Sequence, residues 1–259
     1  MPIQIPIKTR RLSQSEFGNI SYCVMEHAFA FQKQFGRFFN EAIYKNGLAE
    51  RVDGSRIEIP ITVSHRTFSK QYFIDFFVGE GGIFELKCVE KIIPRHRAQL
   101  TNYLLMADLE HGKIINFRPP KIEHKFVNCT TRLAEQKSPR FEYHNWRTTD
   151  IEIERFEHLI DKLVSDWGVG LSSSLYTEAV IHFMGTTSSV DVNGLTRILG
   201  THDVSLLSER IAFKITTMTK ELDDFRIHAK RFLDQTWLDH LVWANMIIGE
   251  VRLELISRK

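Results

Sequence analysis

The sequence predicts an α/β fold. Two apolar runs of strand composition, Tyr72 to Val78 and Ile83 to Val89, are separated by Gly79-Glu80-Gly81-Gly82 and read as a β-hairpin. Segments of helical period flank it, around Phe31 to Gly47 and Arg95 to Leu105, and a short apolar strand, Gly112 to Phe117, follows. Helices alternating with strands in this way must pack on the faces of a sheet.

Taken in order, the amino terminus, Met1 to Arg11, lacks the long apolar segment of a signal peptide. The first helix carries Phe31, Phe35, Phe38, Phe39, Ala42 and Ile43 at helical spacing, with Gly47 as its expected stop and Glu41 at the edge of the apolar stripe. The hairpin comes next, with Gly79 to Gly82 as its turn. In the helix after it, Gln99 and Tyr103 are four apart and share a face. The polar stretch from Arg132 to Asp150, containing Ser138-Pro139-Arg140, reads as a connector, and Ile151 to Trp167 reads as an amphipathic helix. The expected organisation is a first domain over residues 1–131, a connector over 132–150 and a second domain over 151–259.

The hairpin carries charge where burial should discourage it. Side chains alternate along a strand, so Glu85 and Lys87 share one face while Leu86 points to the other. Asp75 on the facing strand then lies opposite or diagonal to Glu85. Two carboxylates so close on a half-buried sheet repel unless a cation sits between them. Oxygen ligands suit Mg²⁺ or Mn²⁺, and neither paired cysteines nor a His-x-x-x-His pattern argues for zinc. Against this stands the plain reading, a hairpin with charges on a solvated face.

Here a resemblance enters. Gly36, Glu41 and Tyr44 look like the GxxExxY signature; Asp75 and Glu85-Leu86-Lys87 look like the PD-(D/E)XK nuclease motif; and Gln99-xxx-Tyr103 followed by Asn116-Phe117 is similar to that family in order. The likeness covers roughly residues 25 to 130. One departure is Ile74, which stands where the motif conventionally has a proline. The resemblance implies an αβββαβ core, with Asp75, Glu85 and Glu41 as Mg²⁺ or Mn²⁺ ligands and Lys87 as the catalytic lysine. Gln99 and Tyr103 would face the scissile phosphate or the entering strand. It further implies hydrolysis of phosphodiester bonds in nucleic acid, with DNA the expected substrate and RNA left open, in DNA repair or in defence against foreign DNA.

Each of these residues has a plainer reading. Glu41 could pair with Lys45 at i, i+4 as an ordinary helix salt bridge. Tyr103 could be a core aromatic with its hydroxyl at the surface, and Gln99 a solvated helix residue. Lys87, Lys91, Arg95, His96 and Arg97 cluster beside the expected site, where phosphates would be contacted, although the net charge of the chain is only +2.

The second half contains faint echoes of the first. Gly168 to Tyr176 repeats the spacing of Gly36 to Tyr44, with Ser173 at the position of Glu41, and Ile211 to Ile215 resembles the Glu85-Leu86-Lys87 strand with Ala212 in place of the carboxylate. Arg231 to Gln235 and Gly249 to Leu253 resemble Arg95 to Gln99 and Gly112 to Ile115. Two readings stand open for residues 151–259: a degenerate, non-catalytic copy of the first domain, of α+β type, or a mostly helical accessory domain. Neither expects a second metal site.

Composition bounds the function. The chain has 259 residues, 43% of them apolar, no apolar run of membrane-spanning length and three cysteines without paired spacing, Cys23, Cys88 and Cys129. A reduced, cytoplasmic setting is expected, with no membrane partner. DNA is the expected partner, with RNA, a partner protein or a homodimer also open. The competing class is a catalytically silent module that keeps the nuclease fold and binds nucleic acid or protein.

Overall fold

The structure, a computed structural model, describes residues 2–146 and 150–258. It forms two compact units, one comprising Met1–Ser64 with Ser69–Leu133, the other His65–Phe68 with Ala134–Lys259.

The first unit begins with β1 (Ile3–Gln4), α1 (Gln14–Phe35) and α2 (Glu41–Ala49). Strands β2 (Ser55–His65), β3 (Phe68–Val78) and β4 (Gly82–Lys87) follow, then α3 (Pro94–Ala107), β5 (His111–Asn116) and β6 (Glu123–Asn128). The sheet order is β1-β2-β3-β4-β5-β6, antiparallel at β3/β4 and β5/β6 and parallel at β4/β5, the two strands joined through α3. This is the αβββαβ core with additions, the α/β architecture that the sequence predicts.

Helix α1 starts where Ser13 and Glu16 form a capping box: the Glu16 amide donates to Ser13 Oγ and the Ser13 amide donates to Glu16 Oε2 at 2.7 Å. Its buried face, Phe17, Val24, Ala28 and Phe31, joins Tyr44 and Leu48 of α2 over Phe76, Phe84, Leu86, Ile115 and Phe117 of the sheet and its edge. Cys88 packs against the same cluster. On the other helix, Leu100 of α3 lies against Gly112, where an added Cβ would meet its side chain at 3.1 Å.

The expected single helix across Phe31 to Gly47 is in fact two. Gly36 takes a left-handed φ of 76° and ends α1, and Asn40 caps α2, its Oδ1 accepting from the Ile43 amide at 3.2 Å. Phe35, Phe38, Phe39 and Ile43 consequently lie exposed instead of forming a buried stripe. Gly47 is not the stop. It sits inside α2, where an added Cβ would fall 1.8 Å from the Phe31 ring, so its role is close helix packing.

The second unit contains β7 (Arg140–His144), α4 (Ile151–Trp167), α5 (Ser173–Phe183), β8 (Thr186–Asn193), β9 (Ile198–Ser208), β10 (Ile211–Thr216), α6 (Leu222–Asp234), β11 (His240–Ile247) and β12 (Glu250–Ser257). The stretch read as a connector therefore carries a 3₁₀ turn, Leu133–Gln136, and β7, which pairs in parallel with β12; residues 147–149 of that stretch lie outside the described residues. The sheet order is β7-β12-β11-β10-β9-β8, with β10 and β11 parallel and joined through α6. A mostly helical domain is excluded; this one is α+β.

From α4 onward the element order is that of the first unit from α1 onward: two helices, three strands, a helix and two strands. Details repeat as well. Tyr44 donates its hydroxyl to the Gly36 carbonyl, and Tyr176 donates to that of Gly168, a glycine that also ends its helix with a left-handed φ, 79°. Asn116 and Asn245 each bind the backbone two residues past their strand partner, at Val89 and Met218. This register corrects the expected correspondence. Lys87 pairs with Asn116 and Thr216 with Asn245, so Thr216 stands where Lys87 does and Lys214, not Ala212, where Glu85 does. Arg231 to Gln235 closes α6 instead of opening a helix, and Gly249 is the β11/β12 turn, so those two echoes fall out of register.

Candidate active site

The register of β3 and β4 pairs Phe76 with Phe84, and one step further sets Asp75 opposite Glu85. Asp75 is fixed there by the Leu86 amide, which donates to its Oδ2 at 3.0 Å. Lys87, one pleat beyond Glu85, turns its ammonium back among the carboxylates. It donates to Glu85 Oε1 and lies 3.7 Å from Asp75 Oδ2 and 3.8 Å from Glu41 Oε2. The sheet thus supplies Asp75, Glu85 and Lys87, and the first residue of α2 supplies Glu41.

Glu85 is fully buried, and among the described residues its Oε2 has no hydrogen-bond partner. Burial, reinforced by the Asp75 charge, pushes its carboxyl up to about 8 against the opposing pull of Lys87. Burial raises Glu41 too, with Lys87 opposing. For Lys87, burial alone would lower the ammonium, but Glu85, Asp75 and Glu41 outweigh it and raise the pKa. One cation therefore serves three carboxylates, and the buried one is left half satisfied. Among the described residues no group of three or more His, Cys, Asp or Glu side chains is arranged to hold a metal ion.

The salt bridge considered between Glu41 and Lys45 does not form, because Lys45 pairs with Glu58 of β2. Glu58 is itself held at a left-handed φ of 52° within the strand. Glu41 is thereby left to face Lys87. Gln99 Nε2 donates to the Tyr103 hydroxyl at 3.1 Å, so the two α3 residues are brought together. Tyr103 is nearly buried, its ring edge-on to Tyr72, and its hydroxyl is raised by burial, with Glu85 and Asp75 adding to the rise. It is a core aromatic whose polar end feels the site. Lys91, Arg95 and Arg97 are exposed on the loop after β4 and the first turns of α3, and among the described residues none of them pairs with the carboxylates.

Asn116 enters the sequence reading only within the family resemblance, without a role, and Arg118 and Arg37 do not enter it as site residues. Asn116 is fully buried and clamps the segment after Lys87: its Oδ1 accepts from the Val89 amide at 3.0 Å and its Nδ2 donates to the Val89 carbonyl at 2.7 Å. Arg118 donates through Nε to the Cys88 carbonyl at 3.5 Å, and Arg37 donates to the Arg118 carbonyl at 3.3 Å. An asparagine ending an apolar strand was the available signal for the first. The two arginines had none, because only the fold brings residues 37, 88 and 118 together.

The corresponding face of the second unit is filled. Trp243 lies beside Lys214 in the register, stacks on Phe225 at 4.1 Å and donates its Nε1–H to Thr216 Oγ1 at 2.8 Å. The buried acid of that unit, Glu254, is neutralised by Arg226.

The signature at the start of α2 departs from its pattern. Glu41 and Tyr44 keep the E-x-x-Y spacing, but Gly36 lies five residues before Glu41, and Phe38 stands at the three-residue position. No curated protein and no solved structure matches the chain. Residues 18–128, a span containing Glu41, Asp75, Glu85, Lys87, Gln99, Tyr103 and Asn116, match the family model of the PD-(D/E)XK nuclease superfamily.

Proposed function

We propose that the first unit is a metal-dependent nuclease that hydrolyses phosphodiester bonds in DNA. The observation that carries this reading is Glu85: a fully buried carboxylate with one oxygen unpartnered, opposite Asp75, on a sheet that supplies one ammonium for three acids. Such a site is short of positive charge, and a divalent cation supplies it. The donor set is all oxygen, which suits Mg²⁺ or Mn²⁺, with Asp75 and Glu85 holding the ion and Glu41 the third acid. When bound, the ion supplies Lewis acidity toward a phosphoryl oxygen and lowers the pKa of its water.

The remaining work belongs to the chain. Lys87 offsets the charge that develops on the phosphorus oxygens, or orients the attacking water. Asn116 fixes the backbone beyond Lys87 and so the direction of its side chain. The Tyr103 hydroxyl, held by Gln99, presents a hydrogen-bond donor on the same side. Lys91, Arg95 and Arg97, on and before the N-terminal turn of α3, attract the phosphate backbone, and the helix terminus adds its own positive end. The second unit is read as a degenerate repeat without a site, because Lys214 stands where Glu85 does and Thr216 where Lys87 does, and the Thr216 hydroxyl is engaged by Trp243.

A second reading has its own observation. The Lys87 ammonium already touches or approaches all three acids, so a silent binding module needs no ion to keep this fold. Incubation of labelled single-stranded and duplex DNA with Mg²⁺ or Mn²⁺ separates the two. Cutting by the native chain that is lost in Asp75→Ala and Lys87→Ala supports the nuclease. DNA binding without cutting, unchanged by both substitutions, supports the module.

A further inference from the structure

Immediately before Glu41, the break between α1 and α2 presents an aromatic surface that the core does not use. Phe38 is 78% exposed, Phe39 45% and Phe35 41%. Leaving three phenyl rings largely in water within five residues forgoes stabilisation, since each contributes about 1.5–3 kcal/mol when fully buried. Exposed apolar surface concentrated in this way marks a contact site.

The rings are interleaved with cations. The Arg37 guanidinium lies 5.1 Å from the Phe38 ring centre, and that of Arg51 lies 4.7 Å from Phe31 and 5.7 Å from Phe35, which stack on each other at 4.3 Å. Arg37 binds the Arg118 carbonyl, and Arg118 binds the carbonyl of Cys88, the residue after Lys87. Main-chain carbonyls therefore link the segment just after Lys87, through Arg118 and Arg37, to the exposed rings. The surface begins where the phosphodiester site ends, and Glu41 is the next residue but one after Phe39.

We infer that the Phe35–Asn40 segment is a stacking platform for unpaired bases of a single-stranded nucleic acid adjoining the scissile phosphate. Phe38 and Phe39 carry the bases, and Arg37 and Arg118 face the intervening phosphates. Bases stack on aromatic rings whatever their identity, and arginines track the backbone, so this combination recognises single strands without reading sequence. A duplex hides its base faces and gains only the phosphate contacts. The inference deepens the nuclease reading and rests on it for the position of the scissile bond. The charge pattern favours a polyanion over a protein partner, because the rings are accompanied by cations and the strip continues into a phosphate-binding site.

The test uses the full-length chain, with Phe38→Ala/Phe39→Ala compared with Phe38→Trp/Phe39→Trp. Both sites are exposed, and equal thermal melts verify the fold. Fluorescence anisotropy in EDTA, where no metal-dependent cutting occurs, measures affinity for a labelled oligothymidine and for a covalently closed circular duplex without unpaired bases. The expected result is a loss of about 10- to 100-fold for the single strand in the alanine variant, a change within about twofold for the closed duplex, and restored binding in the tryptophan variant. Equal loss on both ligands, no loss on either, or self-association of the native chain that disappears in the alanine variant overturns it. Cleavage by the native chain is read separately. Cutting with unaltered single-strand binding in the alanine variant removes the platform and leaves the nuclease; no cutting with single-strand binding lost does the reverse.

Discussion

Gly47→Ala sets helix propensity against packing, with opposite signs. Inside an exposed helix this change stabilises by about 1 kcal/mol. Here the new Cβ would stand 1.8 Å from Phe31 Cε2, 2.3 Å from Cζ and 2.8 Å from Cδ2, whereas carbon atoms in contact sit at ~3.5–4.0 Å. The ring would have to retreat by about 2 Å, and it has little room. It is 4% exposed, stacked on Phe35, edge-on to Tyr44 and covered by Arg51. Overpacking of this kind costs about 1–3 kcal/mol, which offsets the propensity gain and leaves a net loss of up to about 2 kcal/mol. That lowers the melting temperature of the first unit by up to roughly 10 °C. Since α2 carries Glu41, nuclease activity should fall as well, by tenfold or more. Differential scanning calorimetry of a double-mutant cycle with Phe31→Ala provides the decisive assay. Once the ring is gone, Gly47→Ala should turn stabilising by about 0.5–1 kcal/mol, the bare propensity term. A rise in melting temperature for Gly47→Ala in the native background would refute the close-packing account.

Three further outcomes are expected. Lys87→Gln should reduce cleavage on the order of 10²–10³-fold while calorimetry shows tighter Mn²⁺ binding, because the ammonium no longer competes for the carboxylates; weaker Mn²⁺ binding would contradict the proposed competition. Asn116→Ala leaves the Val89 amide and carbonyl without their partner, a loss of about 2–4 kcal/mol by denaturant titration, and Asn245→Ala should do the same to the second unit at Met218; a loss below about 0.5 kcal/mol would show that the clamp is not structural. The Ser13 backbone amide, then Arg10, hold the Glu16 carboxyl down to about 2. Its folded value lies below the unfolded one, so its contribution to stability is complete above pH ~4.5 and fades as the pH falls through 2; a carboxyl titration by NMR with a midpoint above 4 would sink this.

How much could be read from the sequence follows from the range of the interactions involved. The hairpin and the opposition of Asp75 and Glu85 follow from period and turn chemistry, which are local. Helices α3 and α4 were legible for the same reason. The first helix was misread because its break at Gly36 continues an apolar spacing: Phe35, Phe38, Phe39 and Ile43 imitate a buried stripe although they face water. Gly47 was misread because a glycine that ends a helix and one that admits a neighbouring ring look alike until Phe31 is in view. The choice of Glu58 over Glu41 by Lys45 depends on a left-handed residue inside β2, which no spacing announces. In the second half the Gly168-to-Tyr176 match was sound, but the Ile211-to-Ile215 echo was displaced by two residues, since without the Asn245 clamp nothing in Ile211 to Thr216 fixes the frame.

The tyrosine-to-glycine hydrogen bond occurs in both units, Tyr44 to Gly36 and Tyr176 to Gly168. It is a brace: the hydroxyl of the second helix ties down the carbonyl at which the first helix stops, and this sets the angle between them whatever chemistry the sheet beneath carries. A glycine followed eight residues later by tyrosine consequently reports architecture and is silent about activity. Surveys that select on that pair will gather units without the opposed acids along with units that have them. The informative positions for sorting them lie in the opposed central strands, where an acid facing an acid, with a lysine one pleat on, is costly to maintain in a chain with no use for it.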